Sequence, residues 1–272
     1  MALPVAIQVY SVRDDAAKDL RATLTKIKEF GYDGVEFAGL YGNAPEDIAK
    51  MCEEIGLVPI SAHVPYREMV ADPVGVLSQY KTIGCKYVAI PYLMPEDRPG
   101  TENFKNVIEN AKMLGSVCKE MGMQLLYHNH EFEFLKIDGK YALEILYDSV
   151  DADLLKTQLD TCWVNVGGEN PAAYVRKFTG RAPVVHLKDF KGEKSANMYE
   201  LIGLDENNAP KRPDGFEFRP VGSGIQDFPA ILASAQESGA EWVIVEQDQA
   251  TIGLSPLESI KKSIDYLKSF EW

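Results

Sequence analysis

This sequence is short of cysteine, of histidine, of basic charge and of long apolar runs. Its four cysteines, Cys52, Cys85, Cys118 and Cys162, are scattered with no CxxC pairing. That argues against a disulfide framework or a structural zinc cluster, and the thiols read as buried and free. No apolar run approaches the ~20 residues that a membrane span requires. The N-terminus passes into Val5–Val9 with no basic region, apolar segment and small-residue cleavage site in succession. A cytoplasmic protein with no membrane partner is expected. Basic residues are in deficit, with 28 Lys and Arg against 41 Asp and Glu, a formal net charge of -13. A surface of that sign repels phosphate backbones, so no nucleic-acid partner is expected. The partner is instead a small molecule that is neutral or only locally anionic.

What the chain does contain is a steady alternation of short apolar runs and helical stretches. Val5–Tyr10 precedes a helix from about Asp15 to Phe30, Gly34–Phe37 precedes Pro45–Ile55, and Leu57–Ala62 precedes Val74–Ile83. Tyr87–Ile90 leads to Glu102–Met121, Met123–Tyr127 to a helix around Tyr141–Tyr147, and Leu154–Leu159 to one around Pro171–Phe178. Pro183–Leu187, a helix from Asp227 to Ser238, Trp242–Glu246 and a helix from Pro256 to Phe270 complete the pattern. Gly31, Gly56, Gly84 and Gly122 each stand where a helix stops and the next apolar run begins. Eight strand–helix units in 272 residues predict one closed (β/α)8 TIM barrel over residues 1–272. The competing architecture, a doubly wound open sheet, often carries a Gly-rich phosphate turn after its first strand. Here that position reads Gln8-Val9-Tyr10-Ser11-Val12-Arg13, with no glycine. The longest irregular stretch, Phe190 to about Gln226, follows the seventh strand and is placed as a loop overhanging the strand ends.

Polar residues stand where several of these apolar runs end, and the C-terminal tips of parallel barrel strands converge in space. Asp160 closes strand six, His186 strand seven and Glu246 strand eight. Read singly, each has a plain structural role: a turn or helix-cap aspartate, a core histidine, a glutamate paired with Lys188. Read together, two carboxylates and an imidazole on neighbouring tips suit a divalent ion, and the lack of cysteine there argues against a thiolate site. Mn2+ is the first choice, with Co2+, Zn2+ or Mg2+ as alternatives. Strand five ends in Tyr127-His128-Asn129-His130-Glu131-Phe132-Glu133-Phe134. His128 and His130 share a side if the strand persists, and either glutamate can fold back, so the fourth ligand is left open among them. His63 at the end of strand three, Glu36 at the end of strand two, His130 and Arg219 are candidate substrate contacts, with Arg212 in the same loop as Arg219. Gly222-Ser223-Gly224 reads as a tight turn and not as a phosphate cradle.

These residues carry a family resemblance across nearly the whole chain. Gln8–Arg13, Tyr127–Phe134, Leu159-Asp160-Thr161, His186-Leu187-Lys188-Asp189, Val221–Phe228 and Val245-Glu246-Gln247-Asp248 resemble the xylose-isomerase-like sugar isomerase/epimerase superfamily. The resemblance implies one divalent ion held by Glu, Asp, His and Glu from strands five to eight. Asp160, His186 and Glu246 match the last three, while the first falls on His128. It further implies a sugar or keto-sugar substrate, and a homo-oligomer is compatible with the group.

The activity expected on this basis is metal-dependent sugar isomerisation or epimerisation. A proton next to a carbonyl would be removed by Glu246, with Glu133, His128 or Lys188 as the second acid/base and an enediolate between. The runner-up is a lyase on the same scaffold, acting by dehydration of a keto-inositol or keto-sugar or by cleavage of a 3-keto-glycoside. The histidine-rich strand five favours it. A DNA-repair endonuclease is disfavoured by four histidines and the acidic surface. A non-catalytic sugar-binding subunit would be recognised by failure to bind metal.

Overall fold

The computed structural model describes residues 2–193 and 215–272. Eight parallel strands close into a barrel in which each strand pairs with its neighbours in sequence, and the last returns to the first. They are β1 (Val5–Gln8), β2 (Gly34–Ala38), β3 (Val58–His63), β4 (Tyr87–Ile90), β5 (Gln124–His128), β6 (Leu155–Asp160), β7 (Val184–Leu187) and β8 (Trp242–Val245). The expected (β/α)8 architecture is present. Among the described residues no helix is long and apolar enough to cross a membrane.

Strands of this kind are buried on both faces, which is why they read as continuous apolar runs with no visible alternation. The alternation is nonetheless there and gives two cores. One set of side chains meets the helices, for example Ile7, Val35, Val88, Leu125, Val185 and Val243. The other set fills the barrel: Ala6, Ile60, Tyr87, Ala89, Leu126, Val184 and Ile244. Gly34 belongs to the tight end of that interior, because a Cβ there would lie 2.6 Å from the Val58 carbonyl oxygen and 3.0 Å from the Trp242 ring.

The helices begin and end on the signals in the sequence. Asp19 and Asp72 accept from Ala22 N and Gly75 N, Ser255 and Glu258 form a reciprocal capping box, and Gly31, Gly56 and Gly84 close helices at φ of 97°, 79° and 99°. Several segments depart from expectation. The first helix is broken at Asp19 into Arg13–Lys18 and Leu20–Phe30, since Asp19 is extended (φ -156°) and its side chain caps the second piece. Short helices Tyr66–Ala71 and Thr161–Val166 occupy stretches to which the sequence pattern assigns no element. The long stretch after β7 is not wholly irregular, for Asp189–Lys191 pairs antiparallel with Glu217–Arg219. Arg212 lies outside the described residues.

Register places the tips. His128 is level with Gln158, Asp160 with His186, and His186 with Ile244, so Glu246 stands just beyond, its N–H still donating to Leu187 O at 3.1 Å.

Candidate metal centre and cavity

One ligand atom from each of His128, Asp160, His186 and Glu246 lies within 4.8 Å of all the others, and all four residues are buried. His128 Nε2 is 3.6 Å from Asp160 Oδ2 and 3.9 Å from Glu246 Oε2, and His186 Nδ1 is 3.1 Å from Glu246 Oε2. Asp160 serves two purposes. Its Oδ1 accepts from Trp163 N at 2.9 Å and starts the helix Thr161–Val166, while Oδ2 faces the cluster, 3.1 Å from Lys188 Nζ. Asn129 ties the tips of β5 and β6 together, accepting from Asp160 N at 3.0 Å and donating to Asp160 O at 3.3 Å.

Beneath the cluster, a layer of polar side chains turns the imidazoles. Glu36 is fully buried and receives Gln8 Nε2 at 2.7 Å and Gln158 Nε2. With its amide committed that way, Gln158 presents Oε1 to His128 Nδ1 at 3.1 Å and to His63 Nε2 at 2.6 Å. An acceptor at Nδ1 places the His128 proton there and leaves Nε2 as a lone pair toward the cluster. His186 is turned the other way: Nε2 lies 2.9 Å from Glu36 Oε1, and Nδ1 faces Glu246.

The charges call for a cation. Lys188 is buried, with Nζ 3.1 Å from Asp160 Oδ2, 2.9 Å from Glu246 Oε2 and 3.1 Å from Asp248 Oδ1. It also lies over the Trp163 ring, 5.2 Å from its centroid. Burial disfavours the ammonium, but the three carboxylates outweigh burial and raise Lys188 well above its ordinary value. Burial likewise works against ionised Glu246, yet Lys188 and His186 hold it well below the usual carboxylate range. His186 is pushed up to about 10, because Glu36 and Glu246 overcome the penalty of burying its charge. His128 goes the other way, well below normal, through burial and the neighbouring histidines.

Buried carboxylates at Glu36, Asp160, Glu246 and Asp248 thus outnumber the two cationic groups among them, Lys188 and His186, and buried charge is costly unless compensated. Two imidazoles and two carboxylates whose ligand atoms converge at one point fit a divalent ion.

A cavity of about 560 Å3 opens over the cluster. His63, His128, His130, Lys188 and Glu246 line it, as do Asp248 and Tyr10, to which the sequence reading gave no role. His130 is held face to face with Phe132 at 5.5 Å and beside Trp163 at 5.3 Å.

Three other residues named from the sequence are placed elsewhere. Glu133 turns away from the cavity: Oε1 accepts from Tyr127 OH at 2.6 Å and Oε2 from His130 N at 2.8 Å, so it staples the loop after β5. Burial pushes its carboxyl up to about 8 despite these bonds. Glu36 lies below the histidines and not on the cavity wall. Arg219 is on the short strand pair, its guanidinium 2.6 Å from Glu217 and away from the cavity lining. Gln158 carried a usable signal, since period-two alternation from Asp160 on the same strand points to it.

The sequence matches the model of the xylose isomerase-like TIM barrel family over residues 24–270. Its curated relatives include the inosose dehydratase of Clostridium beijerinckii, 28% identical over 173 residues that make up 61% of this chain and 54% of that protein. The chain therefore spans about half the length of that relative. The inosose dehydratase of Lacticaseibacillus casei is 23% identical over 263 residues, 87% of this chain and 85% of that protein. A solved sugar phosphate isomerase/epimerase of Parabacteroides distasonis superposes with a TM-score of 0.77 at 22% identity, covering 99% of this chain and 94% of that one. An IOLI protein with a bound zinc atom gives 0.71 at 17% identity, over 98% and 96%. At such identities the structural likeness establishes the fold alone.

Proposed function

This chain belongs to the xylose isomerase-like TIM barrel family, and on that premise we propose that it is a divalent-metal-dependent lyase that eliminates a β-substituent from a keto-inositol or keto-sugar. The proposal reverses the order of preference that the sequence suggested. The observation that carries it is the strand-five tip. His128 stands there with Asp160, His186 and Glu246 and would be the ligand, whereas Glu133 is stapled to Tyr127 and His130 N, away from the cavity. Exchange of a proton between two faces of a carbon calls for a base on each face. Elimination calls for one base and an open route for the departing group. The inosose dehydratases among the relatives accord with this choice.

His128, Asp160, His186 and Glu246 would hold the ion. When bound, it would supply Lewis-acid polarisation of the substrate carbonyl. Glu246 takes the proton from the carbon beside that carbonyl. The C–H electron pair becomes the enolate, the β C–O bond breaks as the C=C bond forms, and the departing oxygen takes a proton from solvent water in the cavity. Lys188, kept charged by its three carboxylates, faces the cavity and stabilises the developing oxyanion. His63 and His130, also on the wall, orient hydroxyls.

The test is product analysis with purified, Mn2+-loaded protein and an inosose. Loss of one water from the substrate supports the lyase. Conversion to an isomer of unchanged mass supports isomerisation or epimerisation instead, the activity for which the Parabacteroides distasonis protein is named.

A further inference from the structure

In many TIM barrels, phosphate is held by backbone amides of the loops after strands seven and eight. In this chain the amides after β7 are already taken by the protein's own carboxylate. Asp189 Oδ2 accepts from Gly222 N at 3.0 Å and Gly224 N at 2.7 Å, and Oδ1 from Phe190 N at 2.9 Å and Gln226 N at 3.2 Å. The fit is close: a Cβ on Gly224 would stand 2.2 Å from Asp189 Oδ1. Nor is a cation of the cavity wall uncommitted among the described residues. Lys188 is held by Asp160, Glu246 and Asp248, and Arg67 by Glu96 at 2.7 Å and Asp97 at 2.8 Å. Glu68, Asp97, Glu246 and Asp248 make the wall predominantly acidic.

Away from the cluster the wall changes character. Pro65 and Tyr66 follow β3, and Pro91, Tyr92 and Met94 follow β4. Both tyrosines are anchored through their hydroxyls, Tyr66 OH accepting from Asn110 Nδ2 at 2.7 Å and Tyr92 OH from Arg98, whose guanidinium also lies over the Tyr92 ring. Met94 is 41% exposed at the mouth. Anchored rings beside a flexible thioether suit a flat apolar group, and a cavity of about 560 Å3 holds more than one sugar ring.

We propose that the substrate is unphosphorylated and bipartite: a keto-sugar ring at the cluster, and an aryl group linked through oxygen as the β-substituent, lying against Tyr66, Tyr92 and Met94. This rests on the lyase reading. Glu246 takes the proton of the C–H bond next to the carbonyl, the electron pair of that bond forms the C=C bond, and the C–O bond to the aryl oxygen breaks. The aryl oxygen keeps the C–O electron pair, takes a proton from solvent water and leaves as a phenol.

The experiment uses calorimetric binding of three glucosides that lack the carbonyl and so are not turned over: phenyl, methyl and methyl 6-phosphate. The phenyl compound is expected to bind at least tenfold more tightly than the methyl one, and the 6-phosphate more weakly than either. Tyr66→Ala and Met94→Ala are expected to collapse the phenyl-to-methyl ratio, and Tyr66→Phe to keep most of it, which separates the subsite from a folding defect. A ratio near one, tighter binding of the 6-phosphate, or no binding of any probe overturns the inference. A parallel assay with phenyl 3-keto-glucoside separates the two readings. If the binding order holds but no phenol is released, the leaving-group role falls, and the lyase reading falls with it only when an inosose is not dehydrated either. If an inosose is dehydrated while the binding order fails, the lyase reading stands and this inference does not.

Discussion

Glu36 Oε1 lies 2.9 Å from His186 Nε2, below the candidate metal cluster and at the centre of the buried polar layer. This is the carboxylate–histidine arrangement that fixes a metal-binding imidazole and raises its basicity. The same oxygen is 3.0 Å from His63 Nε2, and Gln158 carries the orientation on to His128. Glu36→Gln is therefore expected to weaken divalent-ion binding by about 10- to 100-fold while the barrel stays folded. Titration against a chelating indicator, with circular dichroism as the folding control, measures it. Unchanged affinity would remove Glu36 from this role.

Glu246→Gln takes away the carboxylate assigned to the carbon-bound proton. Turnover is expected to fall by about 10^2 to 10^4, and exchange of that proton with deuterium from solvent should stop as well. Full turnover together with bound metal would end the assignment.

Lys188→Met leaves Asp160, Glu246 and Asp248 buried without their shared ammonium. Stripped of metal, the variant should lose about 3–5 kcal/mol of stability in urea unfolding. Saturating Mn2+ should return part of it, about 2.7 kcal/mol at a hundredfold excess over Kd. A variant as stable as the parent without metal would show that the lysine is not needed to balance the cluster.

Glu133 gives a pH test. Burial raises its folded-state pKa to about 8 from an ordinary 4.5, so the folded protein binds the extra proton between those values. Its favourable contribution is complete below about pH 4.5 and is lost as pH rises toward 8, by at most ~1.4 kcal/mol per pH unit. Glu133→Gln should flatten that decline while leaving most of the turnover. Parallel stability curves for parent and variant between pH 5.5 and 8.5 would contradict it.

The barrel was legible because its code is local. Apolar runs of strand length, helix caps such as Ser255 and Glu258, and stop glycines such as Gly31, Gly56 and Gly84 act on their own neighbours, and the order of elements follows. Asp160, His186 and Glu246 were legible for a related reason: each ends an apolar run, and parallel strands gather such ends. The breaks at Asp19 and the helix Thr161–Val166 were hidden because a capping aspartate is indistinguishable in sequence from a turn or ligand aspartate, and Asp160 is both cap and candidate ligand.

By itself, then, the sequence determined the barrel, the face on which the polar tips meet, and three of the four residues that converge in the candidate metal centre. Tertiary structure alone showed which group of the strand-five segment lies beside them. His128, His130, Glu131 and Glu133 are near neighbours in the chain, and their roles depend on partners far from it. Gln158 on β6 turns His128 inward, whereas the loop after β5 folds Glu133 back onto Tyr127 and the His130 amide. Asp189 shows the same dependence, closing on amides 33 to 37 residues away. Side-chain direction at a strand tip is set by the hydrogen-bond partners that the closed barrel brings within reach, and those contacts exist only once the strands have met.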